Sequence, residues 1–210
     1  ESAIVEYESS KRAFYADFGI HYEFNTIGNQ KWAAGLVFAP SLQVNHENNL
    51  TYSNSSTSES VDKSYHSRTQ YLPMHIGAGI SMTTERWVMT TDYNYLDWSR
   101  NTSSYTSMKY ENQHKLNIGG AYITNPRLPR STELMGGIGL SNSYINLRGG
   151  KMQYLEVSAG ASFPIRYSYL SLGATWRKQI NSRSSLMQES RFSMNLNITF
   201  GERISRSKLR

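Results

Sequence analysis

From Phe14 the chain alternates, with Phe14, Ala16, Phe18, Ile20, Tyr22 and Phe24 on one side and Tyr15, Asp17, Gly19, His21, Glu23 and Asn25 on the other. A repeat of two is the side-chain period of a β-strand. The same rhythm returns over Trp32 to Val44, where Pro40 cannot donate a ladder hydrogen bond and predicts a bulge or bend. It returns again over Leu72 to Met82, Trp87 to Tyr95, Leu116 to Tyr122, Leu134 to Leu140, Leu155 to Ile165, Leu170 to Trp176 and Phe192 to Phe200. A further short strand is expected around Ala3 to Tyr7.

The nature of the two faces decides what surrounds such strands. One face is apolar with aromatic residues toward its ends; Trp32, Trp87, Tyr93, Tyr95, Trp176 and Phe200 fall where membrane strands cross their interfaces. The other face is glycine, serine, asparagine and aspartate, too small and polar to form half of a dry core. The connections also sort into two classes when taken alternately. IGNQ, TTER, TNPRLPRST and RYS lie on one side; the polar excursions over residues 46–67 and 99–114, with NLRGGKM and NSRSS, lie on the other. Short periplasmic turns and longer outer loops are the asymmetry of an outer-membrane barrel. The pattern therefore predicts an all-β fold, an antiparallel transmembrane up-and-down β-barrel of about ten strands over residues 1–204, followed by a basic periplasmic tail over 205–210.

Composition changes this picture little. With 38% hydrophobic residues and a mean hydropathy of −0.56, the chain has the average of a soluble protein, but a barrel needs only alternate residues to be apolar. The 15 Tyr, 7 Phe and 4 Trp suit a protein with two interfaces to meet. No run approaches the roughly 18 apolar residues of a membrane helix. The opening ESAIVEYESS lacks the basic start and apolar core of a signal peptide, so the signal of an exported protein has been removed or the chain begins inside a longer one. Cysteine is absent, which excludes disulfides, zinc thiolates and thiol nucleophiles.

The net charge is +6 and the pI about 9.4, but the bases are scattered along the polar connections and form no stripe interleaved with aromatics. Nucleic acid is not expected; outer-membrane lipid and lipopolysaccharide are the expected counter-charge. Asp17, His21, Glu23, His75, Asp92, Asn94, Glu156 and Arg177 are predicted to face the lumen, either as a site for a polar head group or a gate, or as an ordinary polar lining. Gly19, Gly35, Gly77, Gly79, Gly119, Gly137, Gly139, Gly160 and Gly173 recur on that same face and leave room there. No nucleophile motif such as GxSxG accompanies His21 or His75, and DYNYLDW lacks the oxygen-rich spacing of a calcium loop. No enzyme activity, metal or cofactor is expected.

The ordered pieces LPMHIGAGISMTTERWVMTTDYNYLDWS, HKLNIGGAYITNP, ELMGGIGLSNSYI, VSAGASFPI, SYLSLGATWRK and ESRFSMNLNITFGERI resemble the C-terminal part of the FadL/OmpP1 family of hydrophobic-compound transporters, in its Bacteroidetes-type form. The resemblance covers most of residues 70–204 and, more faintly, 12–50. It implies a portion of a larger barrel, usually of fourteen strands with an N-terminal hatch, and uptake of long-chain fatty acids or aromatic compounds across the bacterial outer membrane. It also implies an alternative: an accessory barrel subunit bound to another outer-membrane protein, such as a component of type IX secretion.

Overall fold

A computed structural model of the chain describes residues 3–25, 30–54, 59–65, 70–103, 105–128, 130–147, 150–165, 168–181 and 188–200. The described residues form strands and connections and contain no helix. Nine strands make one antiparallel meander: β2 (Phe18–Asn25), β3 (Lys31–Ala39), β7 (Met74–Thr83), β8 (Trp87–Asp97), β10 (Gln113–Ile123), β11 (Glu133–Asn142), β13 (Gln153–Ile165), β14 (Ser168–Asn181) and β15 (Ser190–Phe200). Each pairs with its neighbour in the chain's up-and-down order, apart from the excursion between β3 and β7.

That excursion extends the sheet beyond a bend. β1 (Ala3–Arg12) precedes β2 across residues 13–17, and β4 (Gln43–Asn54) follows β3 across residues 40–42. β1 pairs with β4, so the β2–β3 ribbon continues past the break, where β5 (Glu59–Tyr65) and the short β6 (Gln70–Tyr71) join it. The break falls where two prolines remove donors, Pro40 after β3 and Pro73 before β7. The chain repairs it locally. Leu72 N–H donates to the Leu42 carbonyl at 2.8 Å, and Ser41 Oγ donates to the Leu72 carbonyl at 2.9 Å. Asn101 grips Tyr71 by both backbone groups at 2.8 Å. The polar stretch after His46 is thus largely strand, and the expected strand at the start is longer than Ala3 to Tyr7.

Local sequence also accounts for the turns. Between β7 and β8, Thr84 closes the hairpin by donating its N–H to the Trp87 carbonyl at 2.8 Å and accepting the Trp87 N–H on Oγ1 at 2.9 Å. Between β10 and β11, Asn125 Oδ1 accepts the Arg127 N–H at 3.2 Å, an Asx turn, while Thr124 and Thr132 close the base. On the other side a short ribbon of β9 (Met108–Tyr110) and β12 (Ile145–Leu147) rises from β10 and β11. The turns IGNQ, RYS and NSRSS, for the most part, and the tail over 205–210 lie outside the described residues.

Register turns the alternation into two continuous faces. Tyr22, Ala34, Ile80, Thr91, Ile118, Ile138, Val157, Trp176 and Phe192 stand side by side across the whole sheet. Nothing among the described residues covers this row: Ile118 is 56% and Ile138 57% exposed, though both lie on central strands. Among the described residues the buried apolar side chains are few, Ala39, Pro73 and Tyr154. A soluble sheet cannot leave such a face bare, whereas a sheet in lipid must. The one-row shift on the other face reads His21, Gly35, Gly79, Asp92, Asn117, Gly139, Glu156, Arg177 and Arg191.

The sheet has nine strands in its meander where the pattern predicted about ten, and it is not closed among the described residues: β2 and β15 are its two edges. With an odd number of alternating strands these edges run in the same direction. They cannot zip together in the antiparallel manner of the rest.

Replacing Ile138 with Lys puts a charge on the central lipid-facing row and is expected to destabilise the folded state by about 2–4 kcal/mol, more than Ser193→Lys on the opposite face. Urea unfolding in lipid vesicles, followed by Trp fluorescence, measures the difference.

Candidate functional site: the polar face

The face opposite lipid is built from short amides and hydroxyls set against glycine. Gly77 pairs directly with Asn94, Gly139 with Asn117 and Gly173 with Asn195. In each pair the missing side chain makes room for the amide. A Cβ on Gly139 would stand 2.7 Å from Asn117 Oδ1, one on Gly77 would stand 3.0 Å from Asn94 Oδ1, and one on Gly173 would collide with Asn195 Oδ1. Gly160 is excluded from substitution for a different reason, since a Cβ there meets the Leu172 carbonyl at 2.9 Å.

These seats allow a polar chain to run across three strands. Asn94 Nδ2 donates to Asp92 Oδ1 at 2.8 Å, so Asn94 Oδ1 is left as an acceptor and His75 Nε2, 2.8 Å away, carries the proton that meets it. Asn117 Nδ2 gives Asp92 Oδ1 a second bond at 3.2 Å. Asp92 is the sink of the network, and His75 serves it as a donor. Below it the face forms an open concavity of about 710 Å³, lined by Thr90, Gly119, Gly137, Glu156, Ser158, Ser171, Thr175 and Asn195 among others.

Of the predicted lumen residues, the fold therefore brings together His75, Asp92 and Asn94. Glu156 and Arg177 are cross-strand partners, yet Arg177 lies over the Tyr154 ring, its Cζ 4.1 Å from the centroid, rather than in an ion pair with Glu156. His21 and Glu23 sit exposed on the edge strand β2; His21 shares the Asp92 row but stands three strands away, about 14 Å at ordinary strand spacing. Asp17 lies in the break before β2.

The predicted interfacial aromatics fall on the lipid face. Trp32 opens β3, its Nε1 donating to Gln30 Oε1 at 3.4 Å, and Trp87 packs on Tyr122 with centroids 4.8 Å apart. Tyr93 and Tyr95 flank His114, the Tyr93 hydroxyl lying 2.7 Å from Nδ1. Trp176 Nε1 donates to Ser190 Oγ at 3.2 Å, and Phe200 is the last residue of β15, paired with Ser168. Two features escaped the sequence reading. One is Asn117 and Asn195, whose signal is an asparagine opposite a glycine of the next strand and needs the register to be seen. The other is a stack of Trp98, Tyr110 and Tyr144 over the long-connection end, with planes within 20° of parallel.

The BamG family model matches residues 2–207, nearly the whole chain. The protein belongs to the BamG family. It is accordingly a protein of the bacterial outer membrane. No curated protein and no solved structure matches the chain significantly.

BamG membership overturns the resemblance to FadL/OmpP1. The reason is physical. Alternating apolar residues and aromatics at the strand ends are what crossing a bilayer asks of any strand, so their succession carries little information about family. With the resemblance go the expected uptake of fatty acids or aromatic compounds and the hydrophobic ligand it supplied. An accessory barrel subunit fits the family better, though not as part of secretion.

Asp92→Ala removes the acceptor of two amides and is expected to cost about 1 kcal/mol of stability. Gly139→Ala should displace Asn117 from the same acceptor, while Gly119→Ala, whose nearest neighbour would be 3.5 Å from the new Cβ, should be tolerated. A double-mutant cycle between Asp92→Ala and Gly139→Ala should show effects that do not add, because both act on one network.

Proposed function

We propose that this protein is a subunit of the outer-membrane β-barrel assembly (BAM) complex, acting through binding to another outer-membrane protein rather than by conducting a substrate or by catalysis. The observation that carries this reading is the BamG match over residues 2–207. The geometry supports it in two ways. First, the polar face among the described residues carries amides bonded to one carboxylate and seated against glycine, a lining suited to polar groups rather than to a greasy molecule. Second, both edges of the described sheet present backbone donors and acceptors that lipid cannot satisfy, so each must be met by further strands of this or another polypeptide. A partner protein in the membrane is one source of such strands, and membrane lipid covers the apolar face between them.

The test is affinity purification of the tagged, full-length protein from outer membranes solubilised in mild detergent. The barrel-assembly complex should elute with it at fixed stoichiometry through a second, size-based column, and depletion of the protein should lower the amount of folded barrel proteins in the outer membrane. Elution as a free species, with the assembly complex running elsewhere, would overturn the reading.

A further inference from the structure

At the long-connection end of β8, β10, β11 and β13, the strand ends and their connections border an open cleft of about 800 Å³. Its floor is apolar: Leu116 and Leu140, register partners, continue the lipid-facing rows, Ile180 stands at the register shift of β14 opposite Gln153 and Tyr154, and the three remain 37%, 45% and 52% exposed. Its upper wall is polar and aromatic, made by Tyr110, Glu111, Asn112, Lys151 and Gln153. Long connections lie outside in outer-membrane barrels, so the cleft stands at the level of the outer leaflet, where acyl chains give way to head groups.

The polar wall is held firmly and is incompletely satisfied. Asn142 accepts the His114 N–H at 2.6 Å and donates to the Asn112 carbonyl at 2.7 Å, fixing the chain on either side of Gln113. Asn112 Nδ2 donates to the Tyr95 hydroxyl at 2.7 Å, which orients its amide, and its Oδ1 is buried with no protein donor among the described residues. Tyr110 belongs to the parallel stack with Trp98 and Tyr144 and so offers a fixed ring at the rim. Lys151 is the cation of the wall and stands 3.8 Å from Glu111, so the local charge is balanced.

We propose that this cleft binds the acylated sugar of an outer-leaflet glycolipid. An acyl chain lies along Leu116, Leu140 and Ile180. Sugar hydroxyls meet Glu111 and Gln153 at the open rim, and the C–H face of the ring stacks on Tyr110. A balanced Lys151–Glu111 pair selects hydroxyl groups over a bare phosphate. The chemistry, an alkyl chain joined to a sugar, is shared by lipopolysaccharide and by alkyl glycosides, whereas phospholipid has only the chain. The inference rests on the outer-membrane location and on the cleft, not on membership of the assembly complex.

The experiment is native mass spectrometry of the full-length protein in a zwitterionic detergent, titrated with purified lipid A, with phosphatidylethanolamine and with dodecyl maltoside as separate arms. The wild type should hold one lipid A. Dodecyl maltoside should displace it, and phosphatidylethanolamine at the same concentration should not. Leu140→Trp fills the cleft while keeping the lipid face apolar and should weaken lipid A binding at least tenfold. Gln153→Ala, on the exposed rim, tests the same wall with little demand on folding and should weaken it severalfold. Displacement by phosphatidylethanolamine as readily as by dodecyl maltoside, failure to hold lipid A, or unchanged binding in folded Leu140→Trp and Gln153→Ala proteins would overturn the proposal.

Discussion

The constraint on which the structure depends is that a backbone N–H or C=O inside lipid has no water to turn to. An unmet group costs several kcal/mol there, so each strand must lie against another along its full length. Nine strands do so in an unbroken ladder from β2 to β15, and the bend at Pro40 and Pro73 shows how closely the chain observes the rule. Where the prolines withhold donors, Ser41, Leu42, Leu72 and Asn101 supply replacement bonds within a few residues.

Once the ladder is given, side chains are free to serve two solvents. The outward face needs only to be apolar, and it varies among Ile, Leu, Val, Met and aromatic residues that stay largely exposed, with ring contacts such as Trp87 on Tyr122. The inward face has the stricter geometry, because amides on one strand occupy the space left by glycines on the next. Order in this protein therefore lies on its polar side. That inverts the usual soluble arrangement, in which the apolar interior is the jigsaw.

This division explains what could be read from the chain. Strands and faces were legible because alternation is a property of single residues: every glycine assigned inward lies in the inward rows, and Ile118, Ile138 and Val157 lie outward as expected. The strand β4 was legible only as an extension of the membrane strands into the polar excursion, without bounds, since NHENNLTYSN beyond the bend loses the contrast that marks a membrane strand. The Asp92 network was legible only in part. His75, Asp92 and Asn94 stand out as polar residues on one hairpin, but Asn117 joins them through a register that no single strand encodes. Family was not legible at all, because the features that looked specific are those that lipid imposes on any barrel.

The direction of the edges links the fold to its place in the membrane. Neighbouring strands alternate in direction, so β2 and β15, first and ninth in the meander, point the same way. Closing the wall by antiparallel pairing alone then requires an odd number of additional strands between them. An even number, or none, would force one parallel seam, whose pairing is slightly weaker per residue. β15 carries eleven residues to its edge and β2 only eight, so a strand laid on β2 meets a shorter ladder. Beyond β2, however, the same wall continues through β1, which pairs with β4 on one side. The two-part edge of β1 and β2, bent at residues 13–17, asks for a partner strand that bends at the same height, a shape requirement that the straight edge of β15 does not make.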